Sequence, residues 1–149
     1  MLVFQHPFYW YSSPALLKEW QDIVLEHGWA YGNGGEQLRG KTMVSAITTG
    51  GPAAAYRNDG YNRYTLKQLL TPFDQTAHLC GMRYLAPFAL HSSLRFEAPQ
   101  EVAPHVARYT RLLGALRDGT LDLDRATEVD NLADELESAL LPREAAAAP

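Results

Sequence analysis

The chain has 149 residues, of which 46% are hydrophobic and 20% charged, so it has the composition of an ordinary globular protein and enough length for one domain. Its formal net charge of −4, with no basic cluster, argues against a nucleic-acid-binding protein. The single cysteine, Cys80, excludes an internal disulfide and fits a reducing compartment. No apolar run approaches the roughly 20 residues of a membrane span and we expect no signal peptide, so the predicted location is cytoplasmic.

The chain opens with a strand that leads through an aromatic loop into a helix. Leu2 to Phe4 form the apolar run of a buried strand, and Pro7 ends it because proline has no backbone N–H to donate. Ser13 and Pro14 predict a helix start, since a hydroxyl can cap free amides and proline is fixed at a helical φ. The loop between strand and helix holds four consecutive aromatic residues, which are Phe8, Tyr9, Trp10 and Tyr11.

Two interpretations of this aromatic loop follow from its position. At the carboxyl end of a strand, it suits a flat ligand bound in the crevice of an open α/β sheet. The same side chains could instead fold back onto the hydrophobic core. Both interpretations are compatible with this stretch.

A helix and a second strand come next. The predicted helix covers 14–26, and one stripe along it carries the apolar residues Leu16, Trp20, Ile23 and Val24. A loop over 28–35 adds Trp29 and Tyr31. The second strand, Lys41 to Thr48, runs directly into a Thr-Gly-Gly-Pro sequence that neither a helix nor a strand could continue through.

The middle of the chain is predicted to be a long loop, a bent helix and a third strand. The loop over 53–64 is longer than a plain connection needs, which favours a functional role. The helix over 66–80 contains Pro72, which should kink or shorten it. The strand over 84–90 contains Pro87, which predicts an edge strand because an edge tolerates one missing donor.

The last part of the chain is predicted to be helical and acidic. One helix covers 100–116, and a second, over 124–141, turns Val129, Leu132, Leu136 and Leu140 inward. From Arg117 onward the sequence holds nine Asp or Glu and three Arg. We therefore divide the chain into a domain over 1–117, an acidic C-terminal helix over 118–142 and a disordered Ala-rich tail over 143–149.

The order of these elements predicts the fold class. Strands alternating with helices indicate an α/β domain with a parallel sheet, right-handed crossovers and helices on both faces. Only three strands are visible, whereas such sheets normally have about five.

The motif Thr48-Thr49-Gly50-Gly51 is the most specific chemical feature after the aromatic loop. Glycines at the carboxyl end of a strand let a ring approach the backbone closely, and their amides can donate to it. A flavin needs such donors, because negative charge builds on its N1/O2 edge on reduction. The alternative is an ordinary tight turn.

Other polar residues near this motif have two interpretations each. Tyr56 could hydrogen-bond the same ring edge or be a half-buried loop tyrosine. Arg57, Asp59 and Arg63 could be solvated charges or could contact a nucleotide phosphate. The histidines in or beside apolar segments fit core or strand-end positions better than metal ligation, and they are His6, His78 and His91.

Taken together, several ordered blocks of sequence resemble the flavodoxin-like NAD(P)H:quinone oxidoreductase family. Its bacterial branch of ancillary subunits of the glutathione-regulated potassium-efflux system is the most similar. The resemblance covers Leu2 to His91 and rests on the blocks Gln5-His6-Pro7, Pro14 to Trp20, Gly28 to Gly32, Ile47 to Gly51, Pro72-Phe73, Cys80-Gly81 and Leu85 to Phe88.

This resemblance implies an FMN- or FAD-dependent reductase that works as a homodimer. NAD(P)H would deliver a hydride to the flavin and leave, and a quinone would then take its place and accept the hydride. The wall beside the isoalloxazine would consist of Pro7, Phe8, Tyr9, Trp10 and Tyr11, and the N1/O2 edge would be held by Thr48, Thr49, Gly50 and Gly51. Tyr56 falls near the reacting edge of the ring. Asn62 stands about where animal enzymes of the family place a histidine. Because asparagine can hydrogen-bond but cannot carry a proton as an imidazole does, a charge-relay role at this position is in doubt.

The resemblance also implies that the first two strands of the family, with the phosphate-binding loop, are missing before Leu2. We therefore expect weak or no flavin binding and association through the open edge of the first strand.

One alternative function is a non-catalytic ancillary subunit that activates a potassium-efflux transporter at the inner face of the membrane, with the acidic segment as its partner surface. A truncated, inactive remnant is the other alternative.

Overall fold

The protein was analysed as a computed structural model that describes residues 1–142. Its sheet is parallel throughout and contains the strands β1 (Leu2–Pro7), β2 (Thr42–Thr48), β3 (Arg83–Tyr84) and β4 (Phe88–Leu90). β1 pairs with one side of β2, in the register Leu2 to Met43 and Pro7 to Thr48, while β3 and β4 both pair with the other side. The predicted α/β fold with a parallel sheet is confirmed.

The helices cover both faces of this sheet. They are α1 (Ala15–Val24), α2 (Leu66–Leu69), α3 (Thr71–Leu79), α4 (Pro99–Asp118), α5 (Leu123–Glu128) and α6 (Leu132–Glu135). Side chains of β2 alternate between two hydrophobic cores: Met43 and Ile47 pack with α3, whereas Val44 and Ala46 pack with α4 to α6. β2 is therefore buried on both faces, as the central strand of a parallel sheet should be. Within residues 1–142, no helix has the length and apolarity that crossing a membrane requires.

Both predicted effects of proline are found in the structure, although the strand that contains Pro87 is interrupted. Pro72 divides the predicted helix over 66–80 into α2 and α3, as expected. The strand predicted over 84–90 lies at an edge of the described sheet, as expected, but it is not continuous and forms the two short strands β3 and β4. The Leu85 amide still donates to the Met43 carbonyl of β2 (2.8 Å), and the pairing is interrupted after it. There the Ala86 amide donates to the carbonyl of Ala126 (2.9 Å) and the Pro87 carbonyl accepts from the Leu132 amide (2.9 Å), so this stretch is bonded to the C-terminal helices.

The single acidic helix predicted over 124–141 is also wrong. α5, α6 and a 3₁₀ turn (Leu136–Ala139) take its place, because Asp122 and Asn131 each cap a separate helix start with their side-chain oxygens. The inward residues are nevertheless as predicted, since Val129, Leu132 and Leu136 are buried in the same core as the sheet. The predicted disordered tail over 143–149 lies outside the described residues.

The apolar stripe of α1 is more exposed than predicted. Leu16 and Ile23 are 76% and 62% exposed, and α1 contains no buried residue. Ser13 does not cap this helix, since Pro14 occupies the cap position without a side-chain hydrogen bond. Trp20 packs edge-on against Phe4 of β1 at 5.5 Å between ring centroids, which ties α1 to the edge of the sheet.

Candidate functional site

A cavity of about 500 Å³ lies at the carboxyl ends of β1 and β2. It is formed where the aromatic loop after β1 meets the glycine turn after β2 and the loop over 53–64. Parallel strands end at one edge of a sheet, so their following loops converge there. The lining residues are Phe8, Trp10, Tyr11, Gly50, Gly51, Pro52, Ala55, Tyr56, Tyr61 and Asn62.

The structure thus brings most of the predicted site residues together and places four outside the cavity. Pro7 ends β1 in register with Thr48, and the exposed side chain of Tyr9 does not reach the cavity lining. Thr48 lines a smaller cavity of about 190 Å³ beneath α4 instead. Thr49 is fully buried behind the glycine turn, where it acts on the turn rather than on the cavity.

Sequence reasoning missed Pro52, Ala55 and Tyr61 as lining residues. The available signal in the sequence is the length of the loop over 53–64, which favours a functional role. Its fold depends on Gly60, where a Cβ atom would lie 2.4 Å from the carbonyl oxygen of Ala54. The Asn62 amide donates to the carbonyl of Ala55 (2.9 Å), which closes the loop and presents Asn62 to the cavity.

One wall of the cavity is the glycine turn. The Thr49 hydroxyl donates to the Gly51 carbonyl (2.9 Å), and the Ser92 amide donates to the same carbonyl (3.0 Å). Within residues 1–142, the amides of Gly50 and Gly51 have no hydrogen-bond acceptor in the protein. A Cβ atom on Gly51 would lie 3.5 Å from Cε2 of Tyr56, so any side chain there would enter the space between the turn and the tyrosine ring.

The opposite wall is aromatic and largely exposed. Trp10 is 93% exposed, and both Trp10 (φ 50°) and Tyr11 (φ 61°) are in the left-handed region that non-glycine residues avoid. Phe8 is buried, and its ring meets that of Tyr56 edge-on at 6.0 Å between centroids. The Tyr11 hydroxyl lies 3.4 Å from the Oδ1 atom of Asn62, which connects the aromatic loop to the loop over 53–64. Flat aromatic side chains therefore face the glycine turn across the cavity.

His91 lies behind the glycine turn, at the end of β4. Its Nδ1 atom is 3.0 Å from the Thr49 hydroxyl, and its ring packs at 5.6 Å from that of Tyr56. Burial lowers the pKa of His91, and the charge of Asp134 opposes this effect in part. The strand-end position predicted for this histidine is confirmed.

Two of the three charged residues of the loop over 53–64 pair with each other. Arg57 and Asp59 form an exposed ion pair at 3.0 Å, which accounts for both charges without a ligand. Within the part of the chain that the structure describes, no group of three or more His, Cys, Asp or Glu side chains is arranged to hold a metal ion. The site therefore offers backbone donors and aromatic faces, which suit a flat organic ring with an acceptor edge.

Comparison with known proteins gives matches consistent with this geometry. Residues 1–113 match the family described as having a flavodoxin-like fold. The ancillary protein KefG of the glutathione-regulated potassium-efflux system from Enterobacter sp. (strain 638) is 47% identical over 115 residues, which are 77% of this chain and 62% of that protein. General stress protein 14 from Bacillus subtilis (strain 168) is 44% identical over 107 residues, 72% of this chain and 61% of that protein. This chain thus spans less than two thirds of the length of these curated relatives.

Solved structures show the same likeness. The crystal structure of general stress protein 14 from Treponema denticola, in complex with FMN, has a TM-score of 0.70 and 43% identity over 76% of this chain and 64% of that chain. The structure of an NADPH-quinone reductase from P. pentosaceus has a TM-score of 0.62 and 32% identity over 85% of this chain and 67% of that chain.

Proposed function

Because this chain belongs to the family with the flavodoxin-like fold, we propose that its cavity binds the isoalloxazine ring of FMN. The single observation that carries the proposal is the pair of amides at Gly50 and Gly51, which have no acceptor within residues 1–142 and belong to a turn that lines the same cavity as Phe8, Trp10 and Tyr11. A flavin ring offers flat faces to Phe8 and Trp10, and its N1/O2 edge accepts hydrogen bonds. The FMN bound by a relative of 43% identity supports this choice over another flat ligand.

The protein would act as an NAD(P)H:quinone oxidoreductase. When bound, the flavin would supply the chemistry that takes a hydride from NAD(P)H and passes it to a quinone. Fixed amide donors at Gly50 and Gly51 would stabilise negative charge at the ring edge, because they need no reorganisation during the reaction. The similar NADPH-quinone reductase supports this reaction class.

Tyr56 and Asn62 are the proposed polar residues on the reacting side. Both line the cavity, and Tyr56 is held in place between Phe8 and His91. Its phenol can donate a hydrogen bond to the ring edge or to a quinone oxygen. Asn62 can hydrogen-bond a substrate but cannot exchange a proton near neutral pH as an imidazole does, so we assign it an orienting role.

Titration of the purified chain with FMN, riboflavin and lumiflavin tests the cofactor proposal. A flavin ring system has about 20 non-hydrogen atoms. At about −0.3 kcal/mol of binding free energy per atom, the Kd of the chain for this ring should be on the order of 10–100 µM. If ring contacts dominate, lumiflavin and FMN should bind with similar affinity. Oxidation of NADPH in the presence of menadione then tests the reaction, and flavin binding without turnover would limit the proposal to a binding module.

We also propose that the protein forms a homodimer through the loop over 28–35. Trp29 is 43% exposed, and exposed aromatic side chains are enriched in protein interfaces. Trp29→Ala should shift sedimentation equilibrium toward the monomer and weaken flavin binding, if the partner completes the cavity. An unchanged dimer would show that this loop lies outside the interface.

The similarity to KefG favours a second candidate function, that of an ancillary subunit of a potassium-efflux transporter at the inner face of the membrane. The acidic segment after Arg117 would then be a suitable partner surface, since most of its described carboxylates are exposed, among them Asp124, Glu128 and Asp134 on α5 and α6. Co-purification with such a transporter, together with absent menadione turnover, would favour this function over the enzyme.

A further inference from the structure

The glycine turn is supported from behind by His91, which does not itself line the cavity. Its ring contacts the two elements that do, through Thr49 on one side and Tyr56 on the other. His91 follows β4 directly, and the Thr49 amide donates to the carbonyl of Leu90 (2.9 Å), so the histidine and the threonine are held in fixed register. One side chain thus connects the glycine turn with the loop over 53–64.

The available donors fix the direction of these hydrogen bonds. The Thr49 hydroxyl has one hydrogen and lies 2.9 Å from the Gly51 carbonyl, which can only accept. The hydroxyl therefore donates to Gly51, and Nδ1 of His91 must donate to the hydroxyl oxygen at 3.0 Å. A neutral imidazole has one N–H, so the ring must be the Nδ1–H tautomer.

The carbonyl of Gly51 accepts two hydrogen bonds as a result, one from Thr49 and one from the Ser92 amide. Two successive glycines would otherwise be the most mobile part of the site, because glycine has wide conformational freedom. Bonds that hold the Gly51 carbonyl behind the turn restrict this freedom. The free amides of Gly50 and Gly51 are thereby kept in one arrangement before any ligand arrives.

We propose that His91 is a positioning residue, which acts through Thr49 to fix the donor pair of Gly50 and Gly51 for the edge of a bound flavin. The identity of the ligand rests on the proposed function of the cavity. The hydrogen-bond chain from His91 through Thr49 to Gly51 is a property of the free protein and is testable without a ligand.

The first test is nitrogen-15 NMR of the histidine side chains in the full, ligand-free chain at neutral pH. The expected result is the Nδ1–H tautomer for His91. The Nε2–H tautomer would overturn the proposal, because Thr49 would then have to donate to His91 and release Gly51. This measurement needs no variant and no flavin, so it stands even if a substitution at His91 prevents folding.

The second test compares His91→Asn with His91→Leu. Asparagine keeps a donor near the Nδ1 position, whereas leucine removes it. Titration with FMN should give near wild-type affinity for His91→Asn and about tenfold weaker binding for His91→Leu, the effect of losing one buried hydrogen bond. In a Thr49→Val background, His91→Leu should have no further effect, since the histidine acts through that hydroxyl. Equal affinity of wild type and His91→Leu, or additive effects in the double variant, would overturn the proposal.

Backbone dynamics separate this inference from the proposed function. If the wild-type chain binds no flavin, the cofactor proposal fails, and the NMR order parameters of the Gly50 and Gly51 amides in the free protein decide the role of His91. They should lie near about 0.85 in wild type and His91→Asn and fall below about 0.6 in His91→Leu. Equal order parameters in the three proteins would show that His91 does not restrain the turn.

Discussion

The two walls of the cavity are built in opposite ways. The glycine turn is tied to the sheet by hydrogen bonds from buried or half-buried groups, and its carbonyl at Gly51 accepts two donors. The aromatic wall is exposed, and Trp10 and Tyr11 both adopt a left-handed backbone conformation. The wall with the smallest side chains is therefore the more restrained one. Affinity and directionality should therefore come from the glycine turn, whereas the aromatic wall adds surface at a cost in stability.

The largest expected effect concerns the support of the glycine turn. Asn131 is buried and bonds both backbone groups of Ala89, accepting from its amide (2.8 Å) and donating to its carbonyl (3.2 Å), which anchors β4 just before His91. Asn131→Leu should lower the free energy of unfolding by about 3 kcal/mol, because it leaves these groups unpaired. Urea unfolding measures this loss. Ser138→Ala, which removes one exposed hydrogen bond to Glu135, is the control and should change stability by less than about 0.5 kcal/mol.

A methyl group on the glycine turn should impair binding without impairing the fold. The Cβ of Gly51→Ala would lie in ordinary contact with Tyr56 at 3.5 Å, and Gly51 does not need a left-handed φ. We expect FMN affinity to fall about tenfold, since the ring could no longer approach the amides, while stability stays within about 1 kcal/mol of wild type. Gly114→Ala in α4 is the matched control, because its methyl group meets open space. Equal FMN affinity of Gly51→Ala and wild type would contradict this assignment of the wall.

The aromatic wall should respond in the opposite direction. Trp10→Gly removes a residue that is 93% exposed and relieves a left-handed conformation, so it should stabilise the protein by about 1 kcal/mol. Thermal unfolding measures this gain. Tyr61→Gly is the control, since Tyr61 is 89% exposed without a left-handed φ and its replacement should lower stability. Destabilisation by Trp10→Gly would show that the indole makes contacts that outweigh the strain.

Lowering the pH should reduce the free energy of unfolding through the partly or fully buried histidines. The effect of each histidine should be smaller than those of the substitutions above. Burial lowers the pKa of His6 below its ordinary value of 6.5, and its Nε2 atom is buried without a hydrogen-bond partner. The unfolded chain therefore binds the proton first, and stability should fall as the pH drops below about 6.5 toward the lower pKa of the folded state. Burial lowers the pKa values of His91 and His105 in the same direction.

His6→Phe isolates one part of this pH dependence. The imidazole of His6 stacks on Phe73 at 5.8 Å, so a second phenyl ring fits the same contact. The variant should lose less stability than wild type between pH 7 and pH 5 in urea unfolding. An unchanged slope would assign the pH dependence to the other histidines.

Much of the fold could be predicted from the sequence because local signals and tertiary structure agree there. The apolar run after Met1 forms β1, the bounds of β2 are correct to within one residue, and Pro72 breaks the helix where expected. The C-terminal layer could not be predicted in full. Asn131 caps α6 by accepting from the Ala133 amide, and its side chain also bonds to Ala89, which lies 42 residues earlier in the chain. The exposure of Leu16 on α1 also depends on which segments lie beside β1, and periodicity alone does not contain that information.

The candidate site shows the same division. The aromatic loop and the Gly50-Gly51 pair could be identified because residue types and strand ends are visible in the sequence. The placement of Thr48 and Thr49 outside the cavity could not, because it depends on which face of β2 is covered by α4 and on the hydrogen bonds that Thr49 makes in the turn. The sequence predicts a strand-end position for His91, but its contact with Thr49 across 42 residues depends on the pairing of β2 with β4.

Equilibrium dialysis of lumiflavin against the wild-type chain and Gly51→Ala in parallel tests whether this cavity binds a flavin ring. We expect saturable binding of one ring per chain by wild type and about tenfold weaker binding by the variant, with both proteins folded by circular dichroism. Absence of saturable binding to the wild-type chain, or equal affinity of the two proteins, would contradict the assignment of this cavity to a flavin ring.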